Sequence, residues 1–392
     1  MLSTEHKAII SATVPILEQG GEALTRHFYQ TMFRDYPQVQ PLFNQSNQLE
    51  GKQQRALANA VLMYAKNIER LEALGPLVST IINKHVSLQI LPEHYPIVGA
   101  SLLKAIREVL GAEVATDDVL AAWGAAYGQL ADILIGAEEQ IYQQNAAAEG
   151  GWRGARSFKV AQKTVESEEI TSFVLVPADG GKVVRHLAGQ YIGIEVEVAG
   201  SPLRRQYSLS AEANGIDYRI SVKREAGGAV SNYLHDQLDV GGSLQVFPPA
   251  GDFVLTDSDK PLVLISGGVG ITPTLAMLTT ALRTQRPVHF IHAARHAGVH
   301  AFRQQVDALA AQHPQLQRFY CYETADATED AHAIGYLTAQ QLAAWLPETR
   351  DVDAYFLGPK PFMQAIKRQL AELGVPQAQA RYEFFGPAEA LA

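Results

Sequence analysis

The sequence predicts a multidomain chain with three consecutive folds: an all-α segment, an all-β antiparallel segment, and an α/β segment with a doubly wound parallel sheet. Apolar residues recur with helical spacing through residues 1–147, whereas runs rich in β-branched residues follow from residue 151 onward. Beyond residue 257, short apolar runs alternate with helical stretches, which is typical of a parallel sheet covered by helices. We therefore expect three domains, over residues 1–147, 151–256 and 257–392.

Composition indicates an ordinary globular protein and excludes several functions. The chain has 392 residues, which is longer than a single hydrophobic core usually serves. Hydrophobic residues make up 47% of it, as in an ordinary globular protein. A net charge of −9 without any block of Lys or Arg argues against nucleic-acid binding. The single cysteine, Cys321, excludes an intramolecular disulfide and is typical of a reducing compartment. With no signal-peptide pattern and only short apolar runs, we expect a cytoplasmic monomer without an integral membrane segment.

The all-α segment contains six candidate helices, separated by proline and glycine. Their predicted ranges are residues 4–20, 21–33, 52–69, 75–90, 96–110 and 117–145. Small residues and two glycines at positions 146–151 then predict a linker.

The two later segments differ in how their strands are connected. Strands are predicted at 171–177, 191–198 and 217–224 in the all-β segment. In the α/β segment the predicted strands and helices alternate, at 262–266, 272–282, 288–293, 301–312, 318–322, 338–345, 354–357 and 361–373.

A glycine-rich turn at the start of the α/β segment is the strongest local signal. The run PLVLISGGVGITP, from Pro261 to Pro273, reads as an apolar strand, a turn and a helix start. Glycines allow a pyrophosphate to approach the backbone, and a helix N-terminus offers unpaired N–H groups. Thr272 suits the N-cap and Pro273 the first helical turn. The alternative is a glycine-rich turn that binds nothing.

This turn resembles that of the ferredoxin–NADP reductase superfamily. The resemblance implies that a nicotinamide nucleotide binds at Gly268, Gly270, Thr272 and Pro273. A second family element, Gly-Pro before a helix, is present at Gly358, although the usual preceding cysteine is Leu357 here. Arg295 could meet a 2′-phosphate or be solvated, so NADH and NADPH both remain possible. The resemblance favours NADH.

Three more motifs resemble the flavin site of the same superfamily. On a strand, Arg205 and Tyr207 would share one face, where Arg can clamp a pyrophosphate and Tyr supplies a flat ring. The alternative for Arg205 and Tyr207 is that they lie on an ordinary strand of a β-barrel and bind no flavin. The resemblance implies an FAD site that comprises Tyr191, Arg205, Gln206, Tyr207, Ser208, Gly228 and Ser231. It also implies that Phe385 covers the flavin, whereas the alternative for Phe385 is a last buried strand.

One histidine and one glutamate in the all-α segment account for each other. His85 lies on an apolar stripe with Val78, Ile81 and Ile82, where a lone histidine is more often a core residue than a metal ligand. Glu138 falls on the buried stripe of the helix at 117–145, and a carboxylate there needs a partner. A metal-ligating imidazole usually donates its second N–H to such a group. The alternative is a Glu that reaches solvent.

Over its whole length the chain resembles the flavohaemoglobins, with matches at Lys84-His85, residues 92–95, residues 122–124 and residues 150–152. The resemblance implies one haem b whose iron is ligated by His85, with Tyr95 and Glu138 as the hydrogen-bonding partners of that histidine. It implies a distal pocket formed by Tyr29, Phe43, Gln53 and Leu57, and a supporting role for Lys84 beside the ligand.

The function implied by the resemblance is an NO dioxygenase. NAD(P)H reduces FAD, electrons pass to the haem, and O₂ and NO react there to give nitrate. Tyr29 and Gln53 would hold the oxygen, while Tyr95 and Glu138 would strengthen His85 as a donor. The alternatives are a haem-flavin reductase that acts on lipid hydroperoxides or a soluble acceptor, and a sensor or store of O₂ or NO. An apolar distal pocket could also admit a lipid or an azole.

Overall fold

The computed structural model describes residues 2–43, 52–324, 331–386 and 391, and these separate into two compact units. One unit comprises residues 1–147 with Pro202–Arg204 and Gly386–Ala388, and the other comprises the rest of the chain. The predicted fold class is confirmed: helices are followed by an antiparallel sheet and then by a parallel sheet covered by helices.

Up to residue 147, the described part of the first unit is helical. Its helices are α1 (Thr4–Asp35), α2 (Lys52–Lys66), α3 (Gly75–Leu88), α4 (His94–Leu110) and α5 (Asp117–Ala147), with short 3₁₀ helices at Pro37–Leu42 and Leu71–Leu74. The core includes Phe28, Met32, Tyr64, Ile106 and Trp123.

The predicted break between two helices at residues 20 and 21 is wrong, because α1 runs unbroken through both glycines. Glycine inside a helix costs only about 1 kcal/mol relative to alanine. Gly21 is buried, and a Cβ built there would lie 3.6 Å from the Cβ of Ala58 in α2. The packing of α1 on α2 therefore outweighs the weak local preference against a helix.

Helix α5 is long and apolar enough to cross a membrane by length and composition, with a mean hydropathy of 1.3 over its most apolar window. The apolar runs of the sequence had indicated no such segment. Ala122, Trp123 and Ala126 of α5 belong to the core of the first unit, and Glu138 is buried on the same helix. Packing within this unit buries part of α5, and 28% of its most apolar window is buried.

The second unit begins with a six-stranded sheet. Its strands are β1 (Arg156–Val165), β2 (Ile170–Pro177), β3 (Tyr191–Val198), β4 (Ser201–Ser208), β5 (Tyr218–Lys223) and β6 (Ser243–Val246), in the order β4-β3-β6-β1-β2-β5. β1 pairs antiparallel with β2 and β6, β2 with β5, and β3 with β6. Helix α6 (Ala229–Asp236) lies between β5 and β6 in sequence.

The parallel sheet follows. Its strands are β7 (Leu262–Gly267), β8 (Val288–Ala294), β9 (Leu316–Tyr322), β10 (Ala333–Ile334), β11 (Asp353–Leu357) and β12 (Ala380–Tyr382), in the order β10-β9-β8-β7-β11-β12. Its helices are α7 (Ile271–Ala281), α8 (Arg303–Gln312), α9 (Ala339–Trp345) and α10 (Lys360–Glu372). Two apolar clusters cover the sheet, one around Leu264 and Phe290 and the other around Ile265 and Phe356.

Candidate functional sites

The structure brings His85, Tyr95 and Glu138 together. His85 Nδ1 lies 2.8 Å from Glu138 Oε1 and 3.1 Å from the Tyr95 hydroxyl, and that hydroxyl donates to the same carboxylate oxygen at 2.6 Å. Glu138 is 2% exposed, so it does not reach solvent. Because a carboxylate accepts, Nδ1 carries the imidazole proton and Nε2 is left for a metal.

The local fold places His85 at the end of its helix. The N–H of Ile90 donates to the carbonyl of His85 at 3.0 Å, and Gln89 is in the left-handed region with φ 57°. This reverse turn is a common helix C-terminus. It ends α3 within one turn of the histidine.

Two further tyrosines of α5 hold the surroundings of His85, and the sequence analysis assigned neither a role. The Tyr127 hydroxyl donates to the carbonyl of Tyr95 at 2.7 Å, and the Tyr142 hydroxyl donates to the carbonyl of Ile90 at 2.8 Å. Tyr142 follows Glu138 by one helical turn, so the buried stripe of α5 was the available signal. Burial, then the neighbouring Glu138, raises the pKa of Tyr95, which keeps its hydroxyl protonated.

The residues assigned to the distal pocket come from α1, from α2 and, for Phe43, from the end of the short 3₁₀ helix Pro37–Leu42. The ring of Tyr29 is buried and packs against Phe28, Phe33 and Phe43, with centroid separations of 4.9, 5.8 and 5.7 Å. Leu57 is partly buried against the same core. Gln53 lies in α2, but its side chain is outside the described part of the chain. Lys84 lies in α3 directly before His85.

Four of the residues assigned to the flavin lie on one strand of the antiparallel sheet. Arg205, Gln206, Tyr207 and Ser208 end β4. Burial lowers the pKa of the Arg205 guanidinium and raises that of the Tyr207 hydroxyl. Arg205 therefore is a partly desolvated cation, which suits a ligand that carries negative charge.

The turn before α6 requires glycine at position 228. A Cβ on Gly228 would lie 2.5 Å from Ser231 Oγ and 3.2 Å from the carbonyl of Glu225. The Ser231 hydroxyl accepts from the N–H of Glu225 at 3.2 Å and donates to the carbonyl of Gly228 at 3.3 Å. α6 begins at Ala229 without a side-chain cap, so its first N–H groups point at the turn.

Two other residues assigned to the flavin come from other parts of the sequence, although β3 is next to β4 in the sheet. Tyr191 starts β3, and its ring would meet a Cβ on Gly251 at 2.8 Å. Phe385 is 53% exposed and lies beyond the end of β12, so it is not part of a buried last strand.

The glycine-rich turn connects β7 to α7. Gly268 has φ 54°, and a Cβ on Gly270 would lie 2.5 Å from the carbonyl oxygen of Leu357. The turn thus packs directly on the end of β11. The N-cap assigned to Thr272 is wrong: α7 begins at Ile271, and the Thr272 hydroxyl donates to the carbonyl of Val269 at 3.0 Å. Pro273 lies in the first helical turn, as predicted.

Arg295 follows β8, and its side chain is 56% exposed but already ion-paired. Its guanidinium pairs with the carboxylate of Glu169, in the turn between β1 and β2. No local sequence pattern could have indicated a partner 126 residues away.

Comparisons with known proteins agree with this arrangement. A model described as Globin matches residues 26–134, one described as Oxidoreductase FAD-binding domain matches residues 157–255, and one described as Oxidoreductase NAD-binding domain matches residues 264–368.

Relatives match along the entire chain. Flavohemoproteins of Burkholderia sp. (strain TH2) and Pseudomonas putida are 66% identical over 392 residues and 65% identical over 391 residues, covering 100% of this chain and of each relative. The crystal structure of a flavohemoglobin from Malassezia yamatoensis, with bound FAD and heme, covers 98% of this chain and 100% of its own, with a TM-score of 0.88 and 29% identity.

A second solved structure matches the reductase part alone. The FAD/NAD-binding domain of a nitric oxide dioxygenase from Vibrio cholerae covers 60% of this chain and 100% of its own, with a TM-score of 0.56 and 43% identity. The chain belongs to the flavohemoprotein family, in which a globin domain precedes FAD-binding and NAD-binding oxidoreductase domains.

Proposed function

We propose that this flavohemoprotein is an NAD(P)H-dependent nitric oxide dioxygenase that converts NO and O₂ to nitrate. The observation that carries the proposal is the hydrogen-bonded group of His85, Tyr95 and Glu138 in a chain that also has flavin and nicotinamide domains. A histidine held by a carboxylate is a stronger electron donor to iron than one held by a carbonyl, which favours oxygen activation over oxygen carriage. The Vibrio cholerae relative carries the same activity in its name.

The residues around His85 fit a haem. Nδ1 is taken by Glu138, so Nε2 is the nitrogen left for iron. Apolar side chains that are only partly buried pack against the clusters that contain Tyr29 and Tyr95, and they suit the apolar faces of a porphyrin. They are Phe43, Leu57, Val61, Val78, Ile81, Ile82, Ile97 and Val98.

Bound haem would supply the oxygen chemistry, and bound FAD would divide the two electrons of NAD(P)H into single transfers. His85 would bind the iron, and Glu138 would hold the Nδ1 proton so that the ring stays oriented. Tyr95 donates its own proton to Glu138 and so fixes the carboxylate. Tyr29 would donate a hydrogen bond to the oxygen substrate from a pocket of Phe28, Phe33 and Phe43, which excludes water.

In the reductase part, Arg205 and the N-terminus of α6 would hold the flavin phosphates, and the turn Gly267–Gly270 would hold the nicotinamide nucleotide. Tyr191, Tyr207 and Ser208 would contact the flavin ring system, and Phe385 would cover it. Thr272 and Pro273 would set the start of α7 beneath the pyrophosphate.

The test measures NADH oxidation and nitrate formation by the purified full chain in aerated buffer with and without NO. We expect NO to accelerate NADH oxidation, with nitrate formed in proportion. An NADH oxidation rate that NO leaves unchanged would contradict the proposal. Acceleration by a lipid hydroperoxide in place of NO would identify the alternative reductase.

His85→Ala is the matched control for the role of the haem. We expect this variant to lose the Soret band and the response to NO, and to keep NADH-dependent reduction of ferricyanide, which accepts electrons from the flavin. His27→Ala should change neither, because His27 is half-exposed and pairs with Glu108. A Soret band retained by His85→Ala without added imidazole would contradict the assignment of the ligand.

A further inference from the structure

Two buried histidines lie beneath the carboxyl edge of the parallel sheet and take no part in the chemistry above. His292 is in β8 and His300 follows the short 3₁₀ turn Ala297–Val299, and they are 0% and 4% exposed. Their rings stack with a centroid separation of 4.3 Å and an interplanar angle of 29°. The loop between them is therefore closed at its base by this stack.

The pair also joins three neighbouring strands. His292 Nδ1 lies 2.8 Å from the hydroxyl of Ser266, the residue that directly precedes the glycine-rich turn. His300 Nδ1 lies 2.7 Å from the hydroxyl of Tyr322, the last residue of β9. Since β7, β8 and β9 are adjacent, the stacked rings connect the carboxyl ends of all three strands.

The loop held by the pair reaches the FAD-binding domain. The N–H of Glu168 donates to the carbonyl of Gly298 at 3.0 Å, and Arg295 forms its ion pair with Glu169. Two residues beyond His300, the ring of Phe302 lies under the guanidinium of Arg219 at 5.2 Å. Anything that moves the base of this loop would change the contact between the NAD-binding and FAD-binding domains.

Burial favours the neutral form of both imidazoles. Burial lowers the pKa of His292 to about 3, and burial together with the neighbouring His292 and Arg303 lowers the pKa of His300 further still. Among the described residues, neither Nε2 atom has a hydrogen-bond partner, although both atoms are buried. Buried polar atoms without a partner are rare in native proteins, so each needs a physical explanation.

We propose that His292 and His300 are positioning residues for the nicotinamide nucleotide. Ligands of parallel α/β sheets bind outside the carboxyl ends of the strands, where the loop and the glycine-rich turn meet. The pair connects Ser266, next to the glycine-rich turn, to the base of the loop. It thereby fixes the distance between the turn and the loop, and it keeps both aligned with the FAD-binding domain. This proposal rests on the proposed function only in taking NAD(P)H as the electron donor.

The test compares steady-state NADH–ferricyanide reductase activity of the FAD-loaded full chain with that of two variants. His300→Phe keeps the ring stack and loses the bond to Tyr322, and His292→Phe loses the bond to Ser266. We expect KM for NADH to rise about three- to tenfold, the effect of losing one buried hydrogen bond, while kcat changes by less than about twofold. Calorimetric titration of the oxidised protein with NAD⁺ should show the same factor in Kd.

His289→Phe is the matched control, because His289 is on the same strand as His292, is also buried at 7% exposure, and donates from Nδ1 to the carbonyl of Trp345 at 2.6 Å. It should lower thermal stability by a similar amount without changing KM. If all three variants shift KM equally, or if none does, the proposal is overturned.

If the two test variants do not fold, His292→Asn keeps a polar partner for Ser266 and removes the stack. An unchanged KM in that variant would likewise contradict the proposal. Ferricyanide takes electrons before the haem, so failure here is distinct from a missing response to NO.

Discussion

Glu138 is the residue on which the contacts around His85 converge. A buried carboxylate is costly unless hydrogen bonds compensate it, and Glu138 accepts from both Tyr95 and His85. The sequence could predict this group because helical spacing placed an acid and a histidine on two buried stripes. It could not predict Tyr142, because a tyrosine on a buried stripe looks like any core residue until the carbonyl that it meets, here that of Ile90, is known.

Glu138→Gln tests the carboxylate at the scale of one residue. A neutral amide of the same shape leaves the His85 imidazole less electron-rich, so we expect a lower iron–histidine stretching frequency in the ferrous protein. Changes of this kind weaken metal binding about ten- to hundredfold, and haem transfer to an acceptor globin should accelerate accordingly. Resonance Raman spectroscopy and stopped-flow absorbance measure the two effects.

The control for that substitution is Glu139→Gln. Glu139 is the next residue on α5, and it accepts from its neighbour Gln143 at 3.0 Å. The same change of charge there should leave the stretching frequency and haem transfer unaltered. Equal shifts in both variants would show that the effect is one of net charge and not of the contact with His85.

At the scale of elements, the glycines in α1 and in the turn before α7 differ in the space that surrounds them. By local sequence, the glycines at 20 and 21 predict a break and those of the turn predict a ligand site, and local sequence cannot separate the two cases. What separates them is the space around each Cα. A Cβ on Gly20 would meet nothing within 4 Å, whereas one on Gly270 would meet the backbone of Leu357 and Gly358.

Gly270→Ala is therefore expected to be destabilising. The added methyl would lie 2.5 Å from the Leu357 carbonyl oxygen, and neither backbone segment can give way without moving a strand end. Overpacking of this kind costs about 1–3 kcal/mol. Chemical denaturation followed by Trp345 fluorescence in the NAD-binding domain should show the loss, and KM for NADH should rise.

Gly20→Ala provides the comparison. Alanine has a higher helix propensity by about 1 kcal/mol, and the site has room, so this variant should be as stable as the parent or more so. A Gly270→Ala protein that matches Gly20→Ala in stability would mean that the turn is not packed against β11.

At the scale of the whole molecule, the order of folds was predictable and the long-range contacts were not. Periodicity changes along the chain identify helices, antiparallel strands and alternating strands and helices, because each depends on local spacing. Strand β1 pairs with both β2 and β6, yet its sequence RSFKVAQKTV alternates weakly and was not assigned as a strand. The pair of Arg295 with Glu169 depends on the sheets coming together, so no local spacing encodes it.

The stability of the NAD-binding domain should depend on pH through the histidine pair. The pKa of His292 falls from 6.5 to about 3 on folding because burial disfavours the charged form, and that of His300 moves in the same direction. The unfolded chain therefore binds protons between pH 6.5 and about 3 that the folded chain does not, so stability is complete above pH 6.5 and is lost as the pH falls through this window. The groups that face the pair are Ser266, Tyr320, Tyr322 and Arg303. Among the described residues, no carboxylate is hydrogen-bonded to either ring, so none opposes this effect.

At pH 5, a histidine with this shift contributes about 2 kcal/mol less stability than at neutral pH. Hydrogen exchange of the β8 and β9 amides, corrected for the intrinsic effect of pH, measures the local unfolding free energy in the parent and in the variant with both His292→Phe and His300→Phe. Phenylalanine cannot be protonated, so the difference between the two proteins should shrink, or reverse, as the pH falls from 7 to 5.

His289→Phe removes a third buried histidine whose pKa is also lowered by burial. It should produce a smaller change in the same direction, because the Nδ1–H bond of His289 to Trp345 partly offsets the effect of burial. Parallel pH profiles for the parent and the double variant would show that the stacked pair is protonated in the folded protein, and would remove the basis for treating it as a neutral unit.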